Sequence, residues 1–295
     1  MKTKKIILLS VVSVSSILVL LGLLNVFIYD NDSQTRFKYD LYTISSCCTS
    51  RENEYASQSK LKLSQDDLAK KKVTVKFNGK EYSGEYKKSD YSRNDFYYNR
   101  KYECTDDSGC SGFWVNSETG QLTYISFSID APDVLEIDEE LCRKAADDVL
   151  ADFVDISGYE VTSSKQQGLE KDAVGYKYCI FKYNRKIGDY DTSEKITIMV
   201  NSLGEVVHFE SESLGAFENL EAVEIDEEKA LDTIERKLQG FYENSTWVWK
   251  GYKVNSATLV KINNREYGIL YDVDNSFEPT EAGYYPHEGI TFLLT

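Results

Sequence analysis

The sequence predicts an α+β fold, in which an N-terminal transmembrane helix is followed by tandem helix-plus-antiparallel-sheet units. Three observations predict it. Residues 6–28 form an apolar run without a charge, and the stretch 136–153 is repeated at 224–241 with the same opening, Glu-Ile-Asp-Glu-Glu. Each copy is followed by segments in which apolar and polar residues alternate with the period of a β-strand.

Residues 1–29 are predicted to be a short basic head and a signal-anchor helix. At about 1.5 Å per residue, a helix as long as the apolar run crosses a hydrocarbon core of roughly 30 Å. The lysines before the run keep the N-terminus in the cytoplasm and place the rest of the chain outside. A cleavable signal peptide is the competing interpretation, but no clear Ala-x-Ala site follows the run. We therefore expect a single-pass protein of the cell membrane, which contacts the membrane through residues 6–28.

A polar spacer, residues 30–72, and a β-rich segment, residues 73–135, are predicted to follow the anchor. The spacer has Lys and Ser in excess and contains Cys47 and Cys48, whose pairing the sequence leaves open. The β-rich segment opens with apolar residues at every second position, and its Asn-Gly dipeptide at 78–79 is typical of a hairpin turn. Its later strands resemble the back half of the units that follow.

The first α+β repeat is predicted at residues 136–215 and the second at residues 224–295. Each begins with a helix whose apolar residues recur on one face, which is predicted to be buried and which ends at Phe241 in the second copy. Asp138 and Asp226 are the natural N-caps. The acids that follow each cap lie where the helix dipole favours negative charge, which explains them without a ligand. Three or four antiparallel strands are predicted after each helix.

The second repeat lacks the last turn and return strand of the first, because the sequence stops at Thr295. Unpaired backbone groups are then expected on its last strand, which would accept a strand from elsewhere. The residues of this predicted open edge are Gly289, Ile290, Thr291, Phe292, Leu293 and Leu294. In the alternative, the β-rich segment before residue 136 or a spare strand of the first repeat already covers the edge.

Two sequence segments resemble a motif of a known family. They are residues 115–122, Val-Asn-Ser-Glu-Thr-Gly-Gln-Leu, and residues 200–206, Val-Asn-Ser-Leu-Gly-Glu-Val. They resemble the PepSY-type repeats of secreted and membrane-anchored bacterial proteins. In those repeats a helix that begins with acids and an alanine, as at residues 227–230, is followed by strands that end in a Val-Asp-x-x-Thr-Gly-Glu-Val hairpin. This sequence has Asn116 and Asn201 at the Asp of that pattern.

The resemblance covers roughly residues 113–295, and it implies small cystatin-like units that bind or restrain a partner and have no catalytic residues. The leading hypothesis is therefore a membrane-anchored extracytoplasmic protein that is not an enzyme and that binds or regulates a protein or peptide. Two alternatives from other classes stay open. One is a cell-envelope hydrolase that uses two carboxylates about 5 to 9 Å apart. The other is a passive surface or stalk protein.

Composition and motifs argue against several other functions. The chain has 34 Lys and Arg against 49 Asp and Glu, so its surface repels phosphate backbones and no nucleic-acid partner is predicted. The motifs of serine-hydrolase elbows, P-loops and dinucleotide sites do not occur. His287 and Glu288 begin like a zinc-protease helix, but Thr291 stands where the second His is needed. We therefore predict no cofactor and no metal site.

The six cysteines permit up to three disulfides outside the cytoplasm. Cys104 and Cys110 bracket a loop between two strands and are predicted to clip it. Cys142 takes the place of Ala230 on the core face of its helix, and Cys179, on a strand, is its predicted partner. The alternative for this second pair is two reduced, buried side chains.

Overall fold

The computed structural model describes most of the chain after the N-terminal region. The described residues are 34–44, 61–92, 97–105, 107–151, 153–167, 175–262, 266–279, 283 and 287–295. Within them lie the helices α1 (Gln65–Leu68), α2 (Glu139–Leu150) and α3 (Glu227–Tyr242), and a short 3-10 helix at Ile156–Gly158. The strands are β1 (Gln34–Thr35), β2 (Leu41–Thr43), β3 (Lys72–Phe77), β4 (Lys80–Ser92), β5 (Tyr97–Cys104), β6 (Cys110–Asn116), β7 (Leu122–Phe127), β8 (Tyr159–Gln166), β9 (Tyr178–Ile187), β10 (Tyr190–Asn201), β11 (Val206–Glu212), β12 (Ala222–Val223), β13 (Trp249–Lys261), β14 (Tyr267–Phe277) and β15 (His287–Leu294).

One 13-stranded mixed sheet runs through the described structure. Its main path is β2-β15-β14-β13-β10-β11-β7-β6-β5-β4-β3, and β9 and β8 branch off at β10. Strands take up 53% of the structure and helices 16%. The predicted α+β fold class, with tandem helix-plus-antiparallel-sheet units, is therefore wrong, because the described chain forms one large mixed sheet.

The sheet is continuous because single strands pair with partners from different parts of the sequence. β10 pairs in parallel with β13 through Asp191 and Thr192, and its later residues pair antiparallel with β9 and β11. β11 in turn pairs with β7, which brings the preceding β-rich segment into the same sheet. A sequence period reports which face a residue lies on and not which strand it joins, so the prediction missed these pairings.

The predicted N-terminal transmembrane helix has no counterpart in the described residues. None of the helices among them is long and apolar enough to cross a membrane. The residues of the predicted anchor, 6–28, lie outside the described part of the chain, and so do Cys47 and Cys48.

The two long helices begin where the sequence predicts. The Asp138 side chain accepts a hydrogen bond from the Leu141 N–H at 3.0 Å. The Asp226 side chain accepts one from the Lys229 N–H, also at 3.0 Å. Both N-cap predictions are confirmed. α2 then packs on β9 and β10, and α3 packs on β13 and β2.

Buried apolar residues form two clusters. The first core lies between α2 and the strands from β3 to β11, and it includes Cys142 and Leu150. The second core lies between α3 and the strands β13 to β15, and it includes Leu238 and Ile269. Ile187, at the end of β9, belongs to the second core. The β9–β10 hairpin therefore connects the two cores.

A buried carboxylate lies where the two cores meet. Glu194 is fully buried in the irregular part of β10. Its Oε1 accepts hydrogen bonds from the Tyr159 hydroxyl at 2.5 Å and from the Gly215 N–H at 2.7 Å. Its Oε2 lies 3.9 Å from Nε of Arg185. Burial outweighs these contacts and raises the pKa of Glu194 above its ordinary value.

Residues 34–43, which we call the strap, run along the second core and extend its sheet. β1 pairs in parallel with β12, and β2 pairs antiparallel with the end of β15. Between them, the N–H groups of Lys38 and Asp40 donate to the Thr295 carbonyl oxygen at 3.0 and 3.2 Å. The Thr295 N–H donates to the Asp40 carbonyl oxygen at 3.0 Å. Part of the predicted spacer is thus an ordered strand-like segment.

Candidate functional site

The last strand of the second core is half covered. β2 pairs with residues 292–294, so the strap occupies the second half of the predicted open edge. In the described segments, no strand pairs with the outer side of residues 287–291. Among the described residues, the first half of the predicted edge therefore has no strand on its outer side.

The strap reveals which backbone groups of β15 face outward. Thr295 and Asp40 exchange two backbone hydrogen bonds. Successive residues of an antiparallel strand direct these groups alternately to one neighbour and to the other. β15 pairs with β14 without a register shift, so Gly289 and Thr291 direct their N–H and C=O groups to the same side as Thr295. These are the groups that an added strand would bind.

An open cavity of about 680 Å³ lies between the end of α3 and the start of β13. Large apolar side chains at its rim are exposed: Trp247 by 45% and Val248 by 55%. The lining residues are Arg236, Gln239, Gly240, Tyr242, Glu243, Ser245, Trp247, Val248 and Trp249. Exposed apolar side chains around a concave surface are typical of a binding site.

Polar contacts connect this aromatic cavity to the strand edge. Asn275 is fully buried; it accepts a hydrogen bond from Nε1 of Trp249 at 3.1 Å and donates one to the Glu288 carbonyl oxygen at 3.1 Å. The Tyr242 hydroxyl donates to the Glu288 carboxylate at 2.7 Å. Burial of the Tyr242 hydroxyl is the main cause that raises its pKa, and the neighbouring Glu288 carboxylate is the second, so the hydroxyl keeps its proton. The cavity and the edge are thus held in a fixed relative position.

The last turn of α3 is more exposed than the sequence predicts. Phe241, predicted on the buried face, is 45% exposed, and its ring lies 6.3 Å from that of Phe292 on β15. Phe277 contacts the rings of Tyr242 at 5.0 Å and Trp247 at 5.3 Å. Aromatic contacts therefore extend from the cavity toward the edge strand, and Phe241 and Trp247 are their exposed members.

Carboxylates lie on the uncovered edge strand and on the strand next to it. On β14, Asp272 and Asp274 are the partners of Thr291 and Gly289, and Glu288 precedes Gly289 on β15 itself. The whole chain has a net charge of −15. A ligand with basic groups is therefore favoured at this edge, both in its approach and when bound.

The cysteine predictions have different outcomes. Cys104 and Cys110 form a disulfide, which confirms the predicted clip. Cys142 and Cys179 are free, buried thiols, which is the alternative that the sequence left open and not the predicted bond. Burial, followed by the neighbouring Cys179, raises the pKa of Cys142 to about 12. Burial also raises the pKa of Cys179, so both sulfurs stay protonated.

The two histidines lie on strands. His287 and Glu288 begin β15 and therefore do not form the helix that a zinc protease uses. His208, on β11, packs edge-on against the Tyr124 ring at 5.0 Å and lies 3.6 Å from the Glu210 carboxylate. Over the described ranges, no group of three or more His, Cys, Asp or Glu could hold a metal ion.

Sequence reasoning missed the cavity and the strap. Two of the three tryptophans of the chain, at 247 and 249, follow the second helix directly, and this cluster is the signal that could have indicated the cavity. The strap has Phe37, Tyr39 and Leu41 at alternate positions, which is a strand pattern inside the predicted spacer.

No family model matches the chain, and no curated protein does either. Among solved structures, the chain is similar to the Bacillus megaterium YpeB C-terminal domain. The two are 11% identical with a TM-score of 0.35, and the alignment covers 82% of this chain and 99% of that domain. A likeness at this level carries no argument about fold or function, so the resemblance to PepSY-type repeats stays a prediction.

Proposed function

We propose that this chain is a non-catalytic binding protein that takes an extended segment of a protein or peptide partner at the uncovered edge of β15. The observation that supports it best is the juxtaposition of outward backbone groups at residues 289 and 291 with the aromatic cavity. Strand addition uses both parts, because backbone hydrogen bonds give affinity and a side-chain pocket gives specificity. Tyr242 and Glu288 join the two parts directly.

The chemistry of the site describes the partner segment. Burial of one large apolar side chain in the cavity would stabilise the complex by about 1.5–3 kcal/mol. Asp272, Asp274 and Glu288 favour basic residues in the same segment. The partner is therefore an extended segment with aromatic and basic side chains.

A regulatory protein outside the cytoplasm is part of the same proposal. The Cys104–Cys110 disulfide supports this location, because disulfides persist in oxidising compartments and are rare in reducing ones. A partner that is bound without being changed chemically is held or restrained, and restraint is the simplest form of regulation by a binding protein.

The test selects a ligand and then removes the features that should bind it. Random peptides displayed on phage are selected on the full-length chain, and an enriched peptide is synthesised and its affinity measured by fluorescence anisotropy. Gly289→Pro deletes one outward N–H, which an edge strand tolerates. Gly289→Ala is the matched control, because a Cβ at this position meets no atom within 4 Å.

We expect the enriched peptides to combine aromatic and basic residues. Gly289→Pro and Trp247→Ala should each weaken binding about tenfold, which corresponds to about 1.4 kcal/mol, whereas Gly289→Ala should leave it unchanged. The proposal is overturned if no peptide is enriched. It is equally overturned if folded Gly289→Pro and Trp247→Ala bind as the unmodified chain does.

A further inference from the structure

The strap pairs with the same strand that carries the proposed binding edge, so the role inferred for the strap rests on that proposed function. The strap covers β15 from residue 292 onward, and the uncovered edge is residues 287–291. Both stretches direct alternate backbone groups to the same side. A partner strand that extends past Thr291 would therefore meet the strap.

The strap is held by limited contacts. Its side chains alternate between half-buried and exposed from residue 35 to residue 41, and none of them is fully buried. Phe37, Tyr39 and Leu41 pack against the second core, and β2 adds three paired residues. Segments with few buried contacts open at lower free energy than core strands do.

Tyr39 is a central attachment of the strap. Its φ of 63° is in the left-handed region, which is unfavourable for a tyrosine. Its hydroxyl accepts a hydrogen bond from the Asp226 N–H at 2.7 Å, and the Lys229 ammonium lies 4.2 Å from the centre of its ring. The strained backbone is thus maintained by contacts at the start of α3, which the strap would lose on release.

The strap also has the chemistry that the acidic edge favours in a partner. Phe37 and Tyr39 pack against the second core. Arg36, Lys38 and Tyr42 are exposed. The Lys38 ammonium lies 3.9 Å from the Glu266 carboxylate. An extended segment with alternating aromatic and basic residues is therefore a ligand that this surface already binds within its own chain.

We propose that the strap is a displaceable occupant that competes with the partner segment for residues 292–295. Release of the strap extends the available edge from residues 287–291 to residues 287–295. The partner strand then takes the groove that Phe37, Tyr39 and Leu41 occupy. The strap thereby sets the affinity of the binding site, because its contacts must be lost before the longer edge is used.

The test uses a fluorescent synthetic peptide of residues 34–43 and the full-length chain. In the unmodified chain the covalently attached strap competes at an effective concentration of about the millimolar range, so the added peptide binds weakly. Tyr39→Ala weakens the attached strap while the peptide keeps its own tyrosine. We expect this variant to bind the peptide at least about tenfold more tightly. Tyr39→Phe, which loses only the hydroxyl, should show a smaller gain.

The control variant is Tyr98→Ala, because Tyr98 is 51% exposed on β5 and far from the strap in the sheet order; it should show no gain. Phe37→Ala is the second strap variant if Tyr39→Ala does not fold by circular dichroism. Unchanged affinity for the strap peptide in a folded strap variant overturns the exchange. A gain for the strap peptide without a gain for the phage-selected peptide overturns the competition.

The two proposals fail in distinguishable ways. Gly289→Pro combined with Tyr39→Ala should keep the gain in affinity for the strap peptide, because the strap does not pair with residue 289. If the variant keeps its higher affinity for the strap peptide but the phage selection enriches no peptide, the proposed function is overturned and the exchange of the strap is supported. If the selection enriches a peptide but the strap variants bind the strap peptide no more tightly than the unmodified chain does, the exchange of the strap is overturned and the proposed binding edge is supported.

Discussion

The two halves of the molecule start with the same kind of helix and finish differently. Both α2 and α3 begin within the opening Glu-Ile-Asp-Glu-Glu and bury one face on a sheet. α2 buries Leu150 in its last turn, whereas α3 ends beside an open cavity with Phe241 45% exposed. β11, the last strand of the first half, pairs with β7, while in the described part of the chain β15 has the strap over part of its outer edge. The candidate site therefore lies where the second half departs from the first.

The largest expected effect tests whether the two halves are one cooperative unit. Leu150→Ala and Leu238→Ala each empty a fully buried position in one core and should each lower the free energy of unfolding by about 2–5 kcal/mol. Because β10 is shared by both halves of the sheet, we expect one urea transition that either variant shifts. Tryptophan fluorescence and circular dichroism monitor it. Two transitions, of which each variant moves only one, would separate the halves.

A smaller effect is expected from the carboxylate between the cores. Burial raises the pKa of Glu194 above its ordinary value of 4.5, so the folded chain holds a proton that the unfolded chain releases. The contribution of Glu194 to stability is therefore greatest below the ordinary value and falls as pH rises through the raised value. Glu194→Gln removes this titration, so the stability of the variant relative to the unmodified chain should rise with pH over that window.

Urea unfolding at a series of pH values measures this relative stability. Tyr159 and Arg185 are the titratable groups that face Glu194, and both are unchanged in the variant. Glu210→Gln serves as the control, because Glu210 has 45% of its side chain exposed. The prediction is contradicted if the free energy of unfolding of Glu194→Gln, relative to that of the unmodified chain, does not change with pH. It is also contradicted if this relative free energy changes with pH as it does for the control.

The smallest effect compares matching positions in the two helices. Cys142 is fully buried on α2, and Ala230 is fully buried at the corresponding place on α3. Cys142→Ala should therefore cost about 1 kcal/mol, the loss of one small buried group. Urea midpoints measure the cost. A disulfide between Cys142 and Cys179 would give a different result. Cys142→Ala would then lower the free energy of unfolding by about 3 kcal/mol or more, and the intact mass of the unmodified chain would show that these two cysteines are not free thiols.

Local features of this fold were predictable because the residues that make them are neighbours in the sequence. The caps at Asp138 and Asp226 need only the next turn of helix. The hairpin turn at Asn78 and Gly79 needs two residues that accept positive φ, and their values are 48° and 71°. The clip at Cys104 is also local, since its partner is six residues away.

Long-range pairing was not predictable in the same way. The sheet depends on the contact of β10 with β13 and of β11 with β7, and neither follows from an alternating pattern. The candidate site contains one feature that the sequence predicted and one that it did not. The edge at residues 289–291 was predicted by comparing the strand patterns that follow the two copies of the helix sequence. The cover over residues 292–294 comes from the strap, which is separated from them by nearly the whole chain.

The position of the strap in the sequence determines when it can dock during synthesis. A ribosome synthesises residues 34–43 long before either of their partner strands. β1 has no strand to pair with until β12 has been produced, and β2 has none until nearly all of the described chain has been produced. Contacts between such distant parts of a chain form slowly. The aromatic residues of the strap are therefore exposed to chaperones and to neighbouring chains throughout synthesis, and docking of the strap is a late step in folding.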